Sequence, residues 1–208
     1  DVEVKIDKER VDDDSDDGEI IVYGPNVMQG YHNKPDKTKE VITPDGGMRT
    51  GDRGRLDEDG FLYITGRFKE EYKLENGKYV HPASIEEDMK LLPYIANAFV
   101  FGEGKAYNVA LVFPDFEVLK EYSETIKLKS VDDFGEFIKS PAVRDLLKQE
   151  IQAHLAKTYG GYEIPKKFWY ITEDFTVDNV MLTQTMKLKR RNVLKKYRPI
   201  IEKLYEKK

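Results

Sequence analysis

Near Gly66-Arg67 the hydrophobic pattern of the chain changes period, and this change limits its folds more than any other feature. Before it, apolar residues come in short alternating runs. Val2, Val4 and Ile6 alternate with Glu3, Lys5 and Asp7, the period of a half-buried strand. Residues 19–23 read as a second strand, ended by Gly24-Pro25. Residues 12–18 read as an acidic turn, and Asp45-Gly46-Gly47 as another. Residues 48–50 and 54–56 read as two short runs, and Asp57-Glu58-Asp59-Gly60 as a hairpin turn into 61–65. Pro35 suits the first position of a short helix reaching about Val41. Residues 1–67 are thus predicted to be nearly all β, with one short helix.

After the change, helical spacing enters. Asn76-Gly77 lies between 71–74 and 78–80 and signals a two-residue hairpin turn. A helix is predicted to follow, with Ser84 as its cap and Glu87 three residues on. Residues 96–101 and 109–114 read as strands around a Gly102–Gly104 turn. Residues 115–158 read as mostly helical, with Ser140-Pro141 opening a second long helix. Residues 168–171 read as a strand, and 188–207 as a basic terminal helix that Pro199 breaks or kinks. The fold class is α+β. The division falls near 66–70, with a β-rich piece at 1–68 and a small domain at 69–208. That domain is expected to hold a three-stranded or similar sheet with flanking helices.

The chain has 208 residues, or about 1.4 domains at roughly 150 residues each. Its first residue is Asp1, inside a strand pattern, so it reads as a segment of a longer protein. Hydrophobic residues make up 39% and charged residues 35%, a high ratio of surface to core. The 12% aromatic content argues against disorder. With no cysteine, disulfide frameworks, thiolate metal sites and cysteine nucleophiles are excluded together. His32, His81 and His154 lie far apart in sequence without a second ligand at metal spacing. There is no Gly-x-x-x-x-Gly-Lys-Ser/Thr loop and no Gly-x-Ser-x-Gly elbow. Net charge is −5, unevenly spread: residues 1–17 hold nine acids and three bases, residues 187–208 ten bases and two acids. A basic end suits phosphate or an anionic membrane, although a solvated helix face accounts for it as well.

Several short motifs follow in fixed order. Met48-Arg49-Thr50-Gly51-Asp52 places a carboxylate after a glycine at a strand end, where it could accept hydrogen bonds from two neighbouring hydroxyls. Alone, this is an ordinary turn. Thr65-Gly66-Arg67 and Lys69 come about fifteen residues later, then Asn76-Gly77-Lys78, Pro82 and Ile85-Glu86. Residues 182–190, Leu-Thr-Gln-Thr-Met-Lys-Leu-Lys-Arg, precede the terminal helix. As a set they resemble the C-terminal portion of the AMP-forming acyl-CoA synthetases, in the adenylate-forming superfamily. Residues 65–69, 73–82 and 185–191 look most like the long-chain fatty acid CoA ligase branch.

The resemblance implies two half-reactions. A fatty acid carboxylate attacks the α-phosphate of ATP, giving an acyl-adenylate and pyrophosphate, and the thiol of CoA then displaces AMP. It implies that 69–208 is a lid for an upstream large domain of the same protein. That large domain would carry the phosphate loop, the adenine and acyl pockets and the Mg2+ ligand, and without it the chain is expected to be inactive. Asp52 and Arg67 would bind the ribose, and Lys69 would stand at the hinge. Asn76, Gly77 and Lys78 would line the CoA tunnel, where a glycine leaves the approach open. Lys187 would be the catalytic lysine, bridging the carboxylate and the α-phosphate where charge builds in the transition state.

Two departures from the pattern stand out. Met186 precedes the lysine where the superfamily usually has Gly, and Gln184 stands where long-chain members usually have Pro. Two alternatives stay open: an enzyme activating aryl or amino acids on the same scaffold, and a non-enzymatic module whose basic tail binds membrane or nucleic acid. The acidic remainder argues against nucleic acid. A cytoplasmic location is expected, with peripheral membrane contact that Lys195, Lys196 and Arg198 would support.

Overall fold

The computed structural model describes residues 1–9, 11, 16–125 and 132–206. The chain forms two compact units, Asp1–Glu71 and Tyr72–Lys208.

The first unit is an antiparallel meander of four strands in the order β1-β2-β3-β4: β1 (Glu3–Asp7), β2 (Gly18–Tyr23), β3 (Met48–Leu56) and β4 (Leu62–Arg67). Helix α1 (Pro35–Val41) stands between β2 and β3, with Pro35 at its start as the sequence predicts. The two runs expected at 48–50 and 54–56 are one strand. A register shift between Arg53 and Gly54 absorbs the irregularity, so the ladder to β4 continues on both sides. Ile20 and Ile21 are the only buried hydrophobic residues of this unit among those described.

Charge fills much of the remaining interior. Asp17, Glu19 and Arg53 are all buried. Asp17 accepts a hydrogen bond from the Thr65 hydroxyl at 2.6 Å and from Arg55 at 3.2 Å, and lies 3.4 Å from Arg53 Nε. Burial alone would raise its carboxyl, but Thr65, Arg55 and Arg53 together hold it below the usual range. Residues 12–15 of the expected acidic turn lie outside the described residues. Asp17, at its end, is a buried hub and not a solvated turn residue. Phe61 and, on β4, Leu62, Tyr63 and Ile64 form an exposed apolar run.

The second unit opens with a two-stranded hairpin, β5 (Tyr72–Lys73) and β6 (Tyr79–Val80). Helix α2 (Pro82–Met89) follows. It starts at Pro82, with His81 at the cap, and Ser84 sits inside it. The Ser-x-x-Glu signal therefore misplaced the start, because proline's fixed φ already suits the first helical position. A three-stranded sheet runs β7 (Ile95–Phe101), β8 (Val109–Pro114), β9 (Lys167–Tyr170), with β8 central, antiparallel to β7 and parallel to β9. Between β8 and β9 come α3 (Phe116–Thr125), α4 (Phe134–Phe137) and α5 (Pro141–Leu155); residues 126–131 of the expected helical stretch lie outside the described residues. Helix α6 (Arg190–Tyr205) closes the unit and continues through Pro199 instead of breaking there.

Strand alternation sorts the core into two layers. Ala98, Val100, Ala110 and Val112 point to one face. There they meet Ile85, Met89, Leu119 and a stripe on α5 formed by Val143, Leu147, Ile151 and Leu155 at every fourth residue. Phe99, Val109 and Leu111 point to the other face and pack on Phe175 and the α6 stripe of Val193, Tyr197 and Ile201. With both faces covered, β8 is apolar throughout.

Candidate functional site

The predicted residues fall into two groups, one in each unit. In the first unit Asp52 and Arg67 face each other across the β3–β4 ladder. Arg67 Nε donates to Asp52 Oδ1 at 2.5 Å. The Thr50 hydroxyl accepts from the Asp52 amide at 3.0 Å and donates to the Ile20 carbonyl at 2.8 Å, which fixes the strand beneath the carboxylate. A groove of about 370 Å³ lies alongside, walled by Arg49, Thr50, Gly51, Arg67, Phe68 and Lys69. The pairing leaves Asp52 Oδ2 without a hydrogen bond among the described residues. Lys69 is exposed, in a turn where the Glu70 and Glu71 amides both donate to the Arg67 carbonyl.

In the second unit the predicted residues sit on two loops of one design. Between β5 and β6, Leu74 N donates to the Lys78 carbonyl and Gly77 N to the Leu74 carbonyl, both at 2.9 Å. The loop is therefore the three residues Glu75-Asn76-Gly77, and not the two-residue turn that Asn76-Gly77 suggests. Only Gly77 is left-handed, at φ +80, whereas a two-residue type I′ turn needs two such residues. Asn76, Gly77 and Lys78 are all exposed, and the Lys78 ammonium lies 4.4 Å from the centre of the Tyr162 ring.

The loop carrying Lys187 repeats this pattern. Thr183 N donates to the Lys187 carbonyl at 2.8 Å and Met186 N to the Thr183 carbonyl at 2.9 Å. Among the described residues two more turns share it, Thr43–Gly47 and Asp57–Phe61. In three of the four, the left-handed fourth residue is glycine: Gly46, Gly60 and Gly77. In the fourth it is Met186, at φ +61 and 67% exposed. A non-glycine residue there costs about 1–2 kcal/mol. The Thr183 hydroxyl supports the conformation, accepting from the Lys187 amide at 3.0 Å and lying 3.0 Å from the Thr185 hydroxyl. This places the Met-for-Gly departure seen in the sequence at the one position where glycine would be unstrained.

Three residues beyond Lys187, a buried ion pair anchors the loop. Arg190 Nη1 lies 2.7 and 2.8 Å from the two Glu86 oxygens, and its Nη2 donates to the Val100 carbonyl at 2.6 Å. Glu86 also accepts from the Val100 amide at 2.7 Å. The Arg190 guanidinium lies over the Phe99 ring. The first residue of α6 is thus bolted to α2 and β7, while the Lys187 side chain is exposed and makes no ion pair or hydrogen bond among the described residues. Sequence reading gave Glu86, Arg190 and Thr183 no role. The available signal was that Glu86 shares a helix face with Ile85 and Met89, both fully buried.

The basic tail does not form one surface. Lys196 pairs with Glu173 at 2.6 Å, and Lys195 and Arg198 line a groove that also holds Glu103 and Glu202. Among the described residues no cluster of three or more His, Asp or Glu could hold a metal ion, and no helix is long and apolar enough to cross a membrane.

Known proteins resemble the chain along nearly its whole length. A long-chain-fatty-acid–CoA ligase from Mycobacterium tuberculosis is 37% identical over 194 residues, covering 93% of this chain and 32% of that protein. The chain therefore spans about a third of that relative's length. The adenylation domain of a carboxylate reductase from Mycobacterium chelonae superposes with a TM-score of 0.77 at 26% identity, over 98% of this chain and 31% of that one. The adenylation and carrier didomain of a carboxylic acid reductase from Segniliparus rugosus, solved in complex with AMP, gives 0.76 at 25% identity, over 99% and 27%. Residues 70–208, which contain both lysine-bearing loops and the Glu86–Arg190 anchor, match the AMP-binding enzyme C-terminal domain, and the chain belongs to that family.

Proposed function

We propose that the chain is the C-terminal part of an ATP-dependent long-chain fatty acid CoA ligase, with 1–68 ending the large domain and 69–208 forming the lid. The observation that carries the reading is the Thr183–Lys187 loop. Its backbone is held by the Thr183 hydroxyl and by the Arg190 anchor, while its ammonium is unpaired and open to solvent. A fixed positive charge held without an internal partner suits a group whose counter-charge arrives with the substrate. In this reading Lys187 bridges the fatty acid carboxylate and the α-phosphate of ATP during adenylation. Asp52 Oδ2 accepts from the ribose hydroxyls, with Arg67 holding the carboxylate in place. Lys69 takes two backbone states at the hinge. The Asn76-Gly77-Lys78 loop meets the pantetheine arm of CoA, and Gly77 adds no side chain where nothing lies within 4 Å of its would-be Cβ.

The test is fatty-acid-dependent exchange of pyrophosphate into ATP. It compares the 208-residue chain with the product of the natural reading frame that encodes it, the latter with and without Lys187→Ala. The longer product exchanges and the short chain does not. The substitution removes about 3–4 kcal/mol of transition-state stabilisation, a loss of roughly 10²–10³ in rate. A Lys187→Ala variant retaining a third of the wild-type rate removes the lysine assignment. A folded longer product silent with every fatty, aryl and amino acid removes the ligase reading.

A further inference from the structure

We infer that the open edge of β9 is a docking surface for an anionic membrane. The edge floors a groove of about 640 Å³ between α5 and the end of α6. Five cations from three parts of the fold converge on it: Arg144 and Lys148 on α5, Lys166 and Lys167 at the start of β9, and Lys203 on α6. None of the five has a carboxylate within ion-pair distance among the described residues. Asp145 and Glu206, the acids in the lining, form no such pair either. Other lysines of this unit do form ion pairs, among them Lys105–Glu202, Lys120–Asp132 and Lys196–Glu173. The groove keeps an excess of positive charge that no carboxylate among the described residues offsets: Arg144 Nε and Lys167 Nζ donate to the backbone carbonyls of Ile138 and Glu206, and Lys166 and Lys167 lie 5.8 Å from the centre of the Tyr107 ring.

Trp169, the only tryptophan of the chain, lies half-buried among these cations, with the Arg144 guanidinium 5.9 Å from its ring centre. Its indole N–H has no hydrogen-bond partner among the described residues. An amphipathic ring beside long cationic side chains is the composition that sits at the headgroup level of a bilayer. Lys148, Lys166 and Lys203 are exposed, and no deeply buried donor is present to grip a single phosphate. Such an array suits many headgroups at once better than one bound anion. This surface differs from the one the sequence suggested, because Lys195, Lys196 and Arg198 face other acids.

The experiment mixes the 208-residue chain with vesicles of phosphatidylcholine alone, or with a third phosphatidylglycerol, at low and physiological salt. Cosedimentation and the emission of the single tryptophan are read together. Binding and a blue shift are expected only with phosphatidylglycerol, weakening as salt rises. Lys148→Ala, Lys166→Ala and Lys203→Ala together weaken binding by on the order of 100-fold, at about fivefold per lysine. Lys195→Ala with Arg198→Ala leaves it unchanged. Circular dichroism confirms that both variants are folded. No binding, equal loss in the two variants, or binding insensitive to salt overturns the proposal. It is also overturned if inorganic polyphosphate or duplex DNA binds the groove as tightly as the vesicles do.

Discussion

Substituting Glu86→Gln tests whether the anchor beneath the Lys187 loop is held by charge. Gln has the shape of Glu and can still accept from the Val100 amide, but it cannot balance the Arg190 guanidinium. Both side chains are withdrawn from water, at 4% exposure for Glu86 and 17% for Arg190. Removing one partner of such a pair costs about 3–5 kcal/mol, because the other charge is left buried and uncompensated. Gln keeps some hydrogen bonding, so the lower end applies, about 3 kcal/mol. The second unit has roughly 140 residues. At about 2.1 cal/mol/K per residue its unfolding entropy is near 0.3 kcal/mol/K, so about 3 kcal/mol lowers its melting temperature by about 10 °C.

Emission from Trp169, which lies within that unit, follows the transition without interference from any other tryptophan. Arg190→Met should destabilise by a similar amount. The double variant should cost at least ~1 kcal/mol less than the sum, since the two groups share one interaction. A shift under 3 °C for Glu86→Gln, or strict additivity in the double variant, refutes the charge argument. The anchor would then be a matter of packing.

Two further predictions concern one residue in each unit. Met186→Val should lower the melting temperature of the second unit and Met186→Gly should not, the two differing by about 1 kcal/mol, because a β-branched residue is poorly tolerated at positive φ and glycine is at home there. Equal melting of the two variants would show that φ +61 carries no strain. Asp17→Asn should flatten the acid limb of the first unit's stability. The Asp17 carboxyl titrates lower folded than unfolded, so its contribution is present above the ordinary aspartate range and lost as pH falls through the folded value. Urea melts between pH 3 and 6 check this, and a variant whose stability falls with acid as steeply as the wild type's contradicts it.

What could be read from the sequence and what could not separate along a physical line. The apolar runs at 19–23 and 109–114, proline at the start of α1 and the α5 stripe are local signals, and the fold follows them. Ser84 misled because two local start signals competed and the proline's fixed φ prevailed. Asp17 looked like part of a solvated acidic run because its partners, Arg53, Arg55 and Thr65, lie 36 to 48 residues away and only strand pairing brings them near. Asn108, fully buried, was equally silent: it joins Tyr72 to the carbonyls of Tyr162 and Glu163 across more than fifty residues.

The same line runs through the candidate site. Lys78 and Lys187 could be singled out because each sits in a short sequence motif, and each ends a five-residue turn with its side chain exposed. The groups that hold the Lys187 turn were not. Glu86 reaches Arg190 across 104 residues of chain, and Thr183 acts through a hydroxyl that its neighbours in sequence do not announce. Two of the glycine turns carry the same bond, from the Gly47 amide to the Thr43 hydroxyl and from the Phe61 amide to the Asp57 carboxylate, so the hydroxyl contact belongs to the turn, and the left-handed methionine adds strain for it to hold. Without the Thr183 hydroxyl and the Arg190 anchor, a residue that prefers other backbone conformations would let the loop relax and carry the lysine with it. The predicted loss in Glu86→Gln and the contrast between the two Met186 variants therefore probe one arrangement from opposite ends. The first releases the anchor, and the second removes or deepens the strain that the anchor restrains.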